Sequence, residues 1–405
     1  MVAIGKEVGR MRVYARINKS TLEFIHNQLQ VSFEYVERNT HYDQQKVLSW
    51  EDPSSAKLPT INQAKAMAKC YHIPFAGLYM NQTDINVRHL PRLRNMRTVV
   101  DAIADESAVN LAVWDLVRTR DFFVETKAEF DEFIPAFSLG IENDDVLDWA
   151  RTIRTYFDLD LAKQYASASS RQFYLYLREQ VERKGVFVQS FSGVDTSICR
   201  GIAIAEGTMP IIGINANDRY PAKSFSILHE LVHVIKRTSS VCNDMYGTFS
   251  SQQEEVFCNA VAGEVLAPRQ AILRECGSYT PDEFTLDTLD RIAKKFSVSS
   301  EVINRRLYDL GRLSFPRYNT LSRALDTRFL AEKEALKEQR RASGSGIPRN
   351  MSREAIDRTS SELCRVLLRG YSDGYFDKKD LSNHLDIGQK HIDKFIMEVF
   401  KWYMR

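Results

Sequence analysis

The sequence predicts an α+β fold that is mostly helical. Apolar residues recur at helical spacing along most of the 405 residues. Three short β-type runs, 186–190, 201–205 and 210–215, suffice for a small β-sheet. Directly after them, an apolar helical segment contains the run His229-Glu230-Leu231-Val232-His233.

From the N-terminus, short helices are expected at Ser20 to Gln28, Ser32 to Glu37, Tyr42 to Glu51 and Ile61 to Tyr71. Pro59-Thr60 is the start signal of the fourth, with Thr60 as its N-cap. Residues 88–165 read as a mainly helical, acidic and aromatic layer with Trp114, Phe122, Phe123, Phe130, Phe133, Phe137, Trp149 and Tyr156. Aromatics at these spacings predict core packing rather than a ligand site. Beyond residue 315 the character changes: Ala331 to Arg341 is a charged helix, and Ala342-Ser343-Gly344-Ser345-Gly346-Ile347-Pro348 is a flexible linker. Residues 352–403 form a helical module with Leu363, Val366, Leu367 and Tyr371 on one face, continued by Leu381, Leu385, Ile387, Ile392, Phe395 and Phe400.

The chemistry concentrates at residues 229–233. Two histidines four apart on a helix lie on one face, one turn from each other, so both imidazoles can meet one metal ion. The glutamate between them can take a proton from a metal-bound water. Zinc suits nitrogen and oxygen ligands, keeps an open position in catalytic sites and brings the pKa of bound water to about 7. The five-residue pattern by itself is loose, and two histidines on the wet face of an amphipathic helix would also produce it. Phe225, Ile227, Leu228, Leu231, Val232, Val234 and Ile235 surround the pair, so the helix is expected to be buried nearly all round. Buried His and Glu need partners.

A third ligand is sought in a second apolar helix, Gln253 to Ala267, stopped near Pro268. Glu255 shares a stripe with Asn259, Ala262 and Leu266; Glu254 points about 100° away and Glu264 to the opposite side. Periodicity favours Glu255, and a carboxylate stabilising the helix N-terminus is the alternative.

Leu228-His229-Glu230-Leu231-Val232-His233, followed by Glu255-x-x-Cys258-Asn259-Ala260-Val261-Ala262-Gly263-Glu264-Val265-Leu266-Ala267-Pro268, resembles the ImmA/IrrE family of zinc peptidases. The resemblance runs from Glu182-Arg183-Lys184-Gly185-Val186-Phe187-Val188, through Arg200-Gly201 and Pro210 to Asn215, to Phe296 to Ser299 and Val302 to Leu307. It covers most of 165–315. It implies a zincin-like HExxH peptidase domain in which His229, His233 and Glu255 bind Zn2+ and Glu230 is the catalytic general base. Val232 stands for the family's usual Gly, Cys258 for Ala and Val261 for Phe, and none of these removes a catalytic atom. An oxyanion donor such as Tyr220 cannot be placed from sequence.

Trp50-Glu51, Leu58-Pro59-Thr60, Gln63, Ala68 and Ile73-Pro74-Phe75 resemble the tail of an XRE-type helix-turn-helix, a domain often fused ahead of such peptidases. The resemblance implies a recognition helix at Tyr42 to Trp50 with Gln44, Gln45 and Lys46 as DNA-binding residues, glutamine reading adenine and lysine meeting guanine or phosphate. Against this stand a turn at Arg38 to His41 without Gly, and Asp43, which phosphate repels. A protein partner is the other occupant. Gly374-Tyr375-Phe376-Asp377-x-x-Asp380-Leu381-Ser382-x-x-Leu385 resembles a small tri-helical unit at the end of some fused members. The resulting division is an XRE-like domain at 1–87, a connecting layer at 88–164, the peptidase domain at 165–315, a charged helix and linker at 316–350 and a C-terminal module at 351–405.

A formal charge of +2 implies no large field toward DNA or acidic membranes. The six cysteines (Cys70, Cys199, Cys242, Cys258, Cys276, Cys364) include no C-x-x-C pair, which argues against a thiolate zinc site and a disulfide framework. No apolar stretch reaches about 18 residues and no signal-peptide core opens the chain, so a soluble, cytoplasmic protein without membrane partners is expected. Three functional classes follow: a zinc endopeptidase acting on a protein partner, a repressor or toxin, in a mobile-element, stress-response or toxin–antitoxin circuit; a regulator of operator DNA or antitoxin using the peptidase fold as a scaffold; and a fold merely stabilised by metal. An intact Glu230 favours the first over the third.

Overall fold

The structure is a computed structural model and describes residues 13–84, 103–130, 133, 135–207, 209–242, 253–342 and 349–403. The start of the expected connecting layer, 88–102, and residues 343–348 of the expected linker lie outside the described residues. The chain divides into two compact units, Met1–Pro91 with Val100–Asp115, and Arg92–Val99 with Leu116–Arg405.

The first unit contains helices α1 (Lys19–Gln28), α2 (Phe33–Thr40), α3 (Gln44–Glu51) and α4 (Ile61–Cys70), a 3₁₀ turn at Phe75–Tyr79, and the first half of α5 (Ile103–Glu129). Each start follows from a short polar cap. Asn18, Ser32, Asp43 and Thr60 accept from backbone N–H groups of the first turns, and Thr60 forms a capping box with Gln63 as its position predicts. The expected boundaries hold to within a few residues. The turn after α2 needs no glycine because His41 itself takes the left-handed conformation, φ 60°. Leu22, Ile25, Val36, Val47, Trp50, Ala64, Met67 and Tyr71 pack into one core.

In the second unit, α5 continues and is followed by α6 (Val146–Tyr156), α7 (Leu161–Ala166) and α8 (Ser170–Arg183). Of the expected core aromatics of this region, Phe123, Phe137 and Trp149 are buried here and Trp114 in the first unit. Phe133 is 83 % exposed, because it stands between helices and no helical face carries it inward.

Strands β1 (Phe187–Phe191), β2 (Gly201–Ile204), β3 (Ile211–Asn215) and β4 (Ser240–Cys242) form a mixed sheet in the order β1-β3-β2-β4. β1 runs parallel to β3, with Val188 opposite Ile212; β2 is antiparallel to both neighbours, with Ile202 opposite Gly213 and Ala203 opposite Ser240. Three of these strands match the expected runs. The fourth is too short to carry a sequence period.

Helix α9 (Tyr220–Ile235) lies on β2 and β3 and packs against α8 and α10 (Gln253–Leu266). Every residue of α9 from Ala222 to Ile235 is buried. Its apolar residues join Trp149, Val265, Leu266, Phe284 and Phe296 in one core, each such side chain contributing about 1.5–3 kcal/mol. Helices α11 (Arg269–Cys276), α12 (Leu286–Phe296), α13 (Ser300–Asp309) and α14 (Phe315–Ala342) complete this part. The charged segment at 331–341 is thus the far end of a longer helix whose near end packs through Tyr318, Leu321 and Leu325.

The C-terminal module consists of α15 (Met351–Arg358), α16 (Ser361–Ser372), α17 (Lys378–Leu385) and α18 (Ile392–Tyr403). Its predicted core residues are buried, except that Tyr371 is half-buried and Phe400 is 56 % exposed.

Candidate metal centre

Burial of α9 forces its polar side chains to find partners within the protein. His229, His233 and Glu255 do so together: one ligand atom from each lies within 4.8 Å of the others. Glu255 Oε2 stands 3.1 Å from His229 Nε2, and Glu255 Oε1 stands 3.5 Å from His233 Nε2. Ligand atoms about 2.0–2.1 Å from a tetrahedral zinc stand about 3.3 Å from each other, so the donor set fits that ion.

The outer nitrogens explain why the inner ones are available. His229 Nδ1 donates to Asn259 Oδ1 at 2.8 Å, an amide oxygen that can only accept. His233 Nδ1 faces Thr238 Oγ1 at 3.2 Å and Glu254 Oε1 at 3.6 Å, while the Thr238 hydroxyl donates to Glu254 Oε1 at 3.1 Å. With the proton held on Nδ1, both imidazoles can present the Nε2 lone pair to an ion beside Glu255. Two lone pairs and a carboxylate aimed at one point repel one another unless a cation stands between them. Burial raises the Glu255 pKa, but without a cation the same two nitrogens are protonated and donate to it, and these hydrogen bonds hold the carboxyl well below the usual carboxylate range.

Of the three carboxylates of α10, Glu255 alone joins the cluster. Glu254 braces His233 through Thr238, and Glu264 pairs with Arg306 and accepts from the Arg269 N–H at 2.7 Å. Asn259 and Glu254 were not assigned to the site from sequence. Asn259 was legible there as the residue one turn beyond Glu255 on the same stripe; Thr238 follows the end of α9 and carries no periodic signal.

Glu230 lies about 100° round α9 from His229 and outside the ligand cluster. It is buried, and Ser240 Oγ donates to its Oε2 at 3.3 Å. A buried carboxylate beside a metal-ligand set, but not part of it, can accept a proton from a nucleophile. Tyr220 does not supply an oxyanion donor. It opens α9, more than two turns before His229, and its hydroxyl donates to Asp357 of the C-terminal module.

In the first unit, Gln44 and Gln45 are exposed at the start of α3. Lys46 is half-buried, its ammonium 4.6 Å from the Tyr42 ring centroid and 5.6 Å from that of Trp50. Gln45 and Lys46 border an open cleft of about 790 Å³ lined also by Arg16, Asp43, Lys57 and Gln63. Among the described residues, no helix is long and apolar enough to cross a membrane.

No curated protein and no solved structure matches the chain. Residues 181–308, which hold the sheet, α9, α10 and the His229, His233 and Glu255 cluster, match the peptidase M78 family model, described as the IrrE N-terminal-like domain.

Proposed function

We propose that this protein is a zinc-dependent endopeptidase that cleaves a protein partner, a repressor or toxin, in a mobile-element, stress-response or toxin–antitoxin circuit. The observation that carries the reading is the convergence of His229, His233 and Glu255 on one point, with Glu230 buried beside it. Zinc bound by those three residues would polarise a peptide carbonyl and acidify a water. Glu230 takes the proton of the attacking water and delivers it to the leaving amine. Asn259 and Thr238 hold the imidazoles in the ligating tautomer. The hydrophobic shell of α9 keeps competing water away from Glu230.

The purified chain should contain about one zinc, lost in a His229→Ala, His233→Ala double mutant. Full zinc occupancy in that mutant refutes the site. Glu230→Gln should keep the metal, retain partner protein as bait, and cleave it about 100-fold more slowly or worse. A wild-type chain that leaves the captured protein intact moves the reading to a partner-binding scaffold.

The first unit serves the same circuit by reading operator DNA, a reading supported by the exposure of Gln44 and Gln45 and by a cleft at Gln45 that carries Arg16, Lys46 and Lys57. Gln44→Ala with Gln45→Ala should relax sequence preference at about 1–3 kcal/mol per lost base contact. Lys46→Ala should weaken binding to all sequences and flatten its salt dependence. The test is binding to the protein's own promoter at two salt concentrations. Absence of a salt-sensitive complex leaves a protein as the occupant of this unit.

A further inference from the structure

We infer that Gly201 and Ser240 are positioning residues for Glu230: two neighbouring strands form a seat that holds its carboxylate in one orientation beside the metal centre. The inference rests on the peptidase reading, because it concerns the side chain proposed there as the base.

One wall of the seat is a hydrogen bond. Ser240 is fully buried at the start of β4, and its hydroxyl donates to Glu230 Oε2 at 3.3 Å. The other wall is a space. A β-carbon at position 201 would lie 2.2 Å from Glu230 Oε1 and 2.8 Å from its Cδ and Cγ. Gly201 lies outside the positive-φ region, so the backbone does not demand glycine there. The close approach of the carboxylate does.

The walls are themselves held. Cys199 Sγ donates to the Gly201 carbonyl at 3.3 Å. Buried Asn215, at the end of β3, donates from Nδ2 to the Cys199 carbonyl at 2.7 Å, and from its backbone to the Arg200 carbonyl at 2.9 Å. Strand pairing sets Ser240 opposite Ala203, two residues along β2 from Gly201. The sheet therefore fixes both walls relative to α9.

A glutamate side chain has three torsions between backbone and carboxylate. Left free, it spreads over several rotamers. A misplacement of about 1 Å at a reacting group can cost about 100-fold in rate. Gly201 and Ser240 remove that freedom without touching the metal ligands.

The test uses the full chain loaded with cobalt(II), with acetohydroxamate as probe and the visible spectrum as readout. A hydroxamate chelating the ion gives its N–OH proton to the adjacent base, so its affinity reports where the Glu230 carboxylate stands. Ser240→Ala should weaken the probe about tenfold, the scale of one hydrogen bond to a charged group, with about one metal still bound per chain. Ser240→Thr, which keeps the hydroxyl, should bind as wild type. Gly201→Ala should weaken it at least as much as Ser240→Ala. Should Gly201→Ala fail to fold, Ser240→Ala decides, since it removes one oxygen and adds no bulk. If Glu230→Gln weakens the probe while Ser240→Ala and Gly201→Ala leave it unchanged, the seat is wrong and the base stands. If Glu230→Gln also binds as wild type, the base itself is wrong and the seat falls with it.

Discussion

A metal ligand is made by its neighbours as much as by its own side chain. His229 could ligate through Nε2 only if Nδ1 keeps the proton, and Asn259 Oδ1 at 2.8 Å favours that. Asn259→Ala should therefore lower zinc affinity about 10- to 100-fold while leaving all three ligands in place, measured by competition with a chromogenic chelator. Thr238→Val should show the same effect at His233, softened because Glu254 Oε1 also stands 3.6 Å from that nitrogen. Equal zinc affinity in Asn259→Ala and wild type would remove the amide from the site. Val232 occupies a position where the resembling family usually has Gly, yet it is fully buried in the core. Val232→Gly should cost about 2–4 kcal/mol in chemical unfolding, from lost burial plus a helical glycine, and leave the ligands untouched.

At the scale of elements, α8 joins the sheet to the C-terminal module through two side chains one turn apart. Arg178 is buried and donates to the carbonyls of Ile356 and Asp357, each at 3.0 Å, at the C-terminal end of α15. Glu182 accepts from the Ser361 N–H at 3.0 Å and from its hydroxyl, at the N-terminal end of α16. A cation thus faces a helix C-terminus and a carboxyl oxygen a helix N-terminus, the favourable sense of both dipoles. Gln189 of β1 accepts from the Ser360 N–H at 2.8 Å and extends the contact. Burial pushes the Glu182 carboxyl up to about 7, against the pull of Arg178, Ser360 and Ser361 and with that of Glu362. Because the folded value lies above the ordinary 4.5, its contribution to stability is fully present below about pH 4.5 and is lost as pH rises through about 7. The loss amounts to about 3 kcal/mol. Wild-type protein should therefore fall in stability relative to Glu182→Gln between pH 5 and pH 8, seen in parallel urea titrations. Parallel curves for the two proteins would place the carboxyl outside this account.

At the scale of the molecule, the two units have separate cores. The ligand cluster lies wholly in the second. Metal binding to the native form stabilises only the unit that binds it, by about 2.7 kcal/mol at one hundred times the dissociation constant. Calorimetry of the zinc-loaded chain should show two transitions, and a chelator should lower one while leaving the other in place. A chelator that shifts both equally would show that the units unfold as one.

The shared face of His229 and His233 was legible in the sequence because helical spacing is local: residues four apart share a face whatever the rest of the chain does. The apolar period around them announced a buried helix, and Thr60 with Gln63 announced a helix start, for the same reason. Between Glu254, Glu255 and Glu264, periodicity alone left a choice. Only the packing of α10 against α9 brings Glu255 to both Nε2 atoms and sends Glu264 to Arg306. The site's remaining parts come from distant stretches of chain. Gly201 and Ser240 flank Glu230 from two strands, and Thr238 braces His233 from beyond the end of α9. No period links such positions. Their meeting depends on strand register and helix packing, which the free energy of the whole core decides.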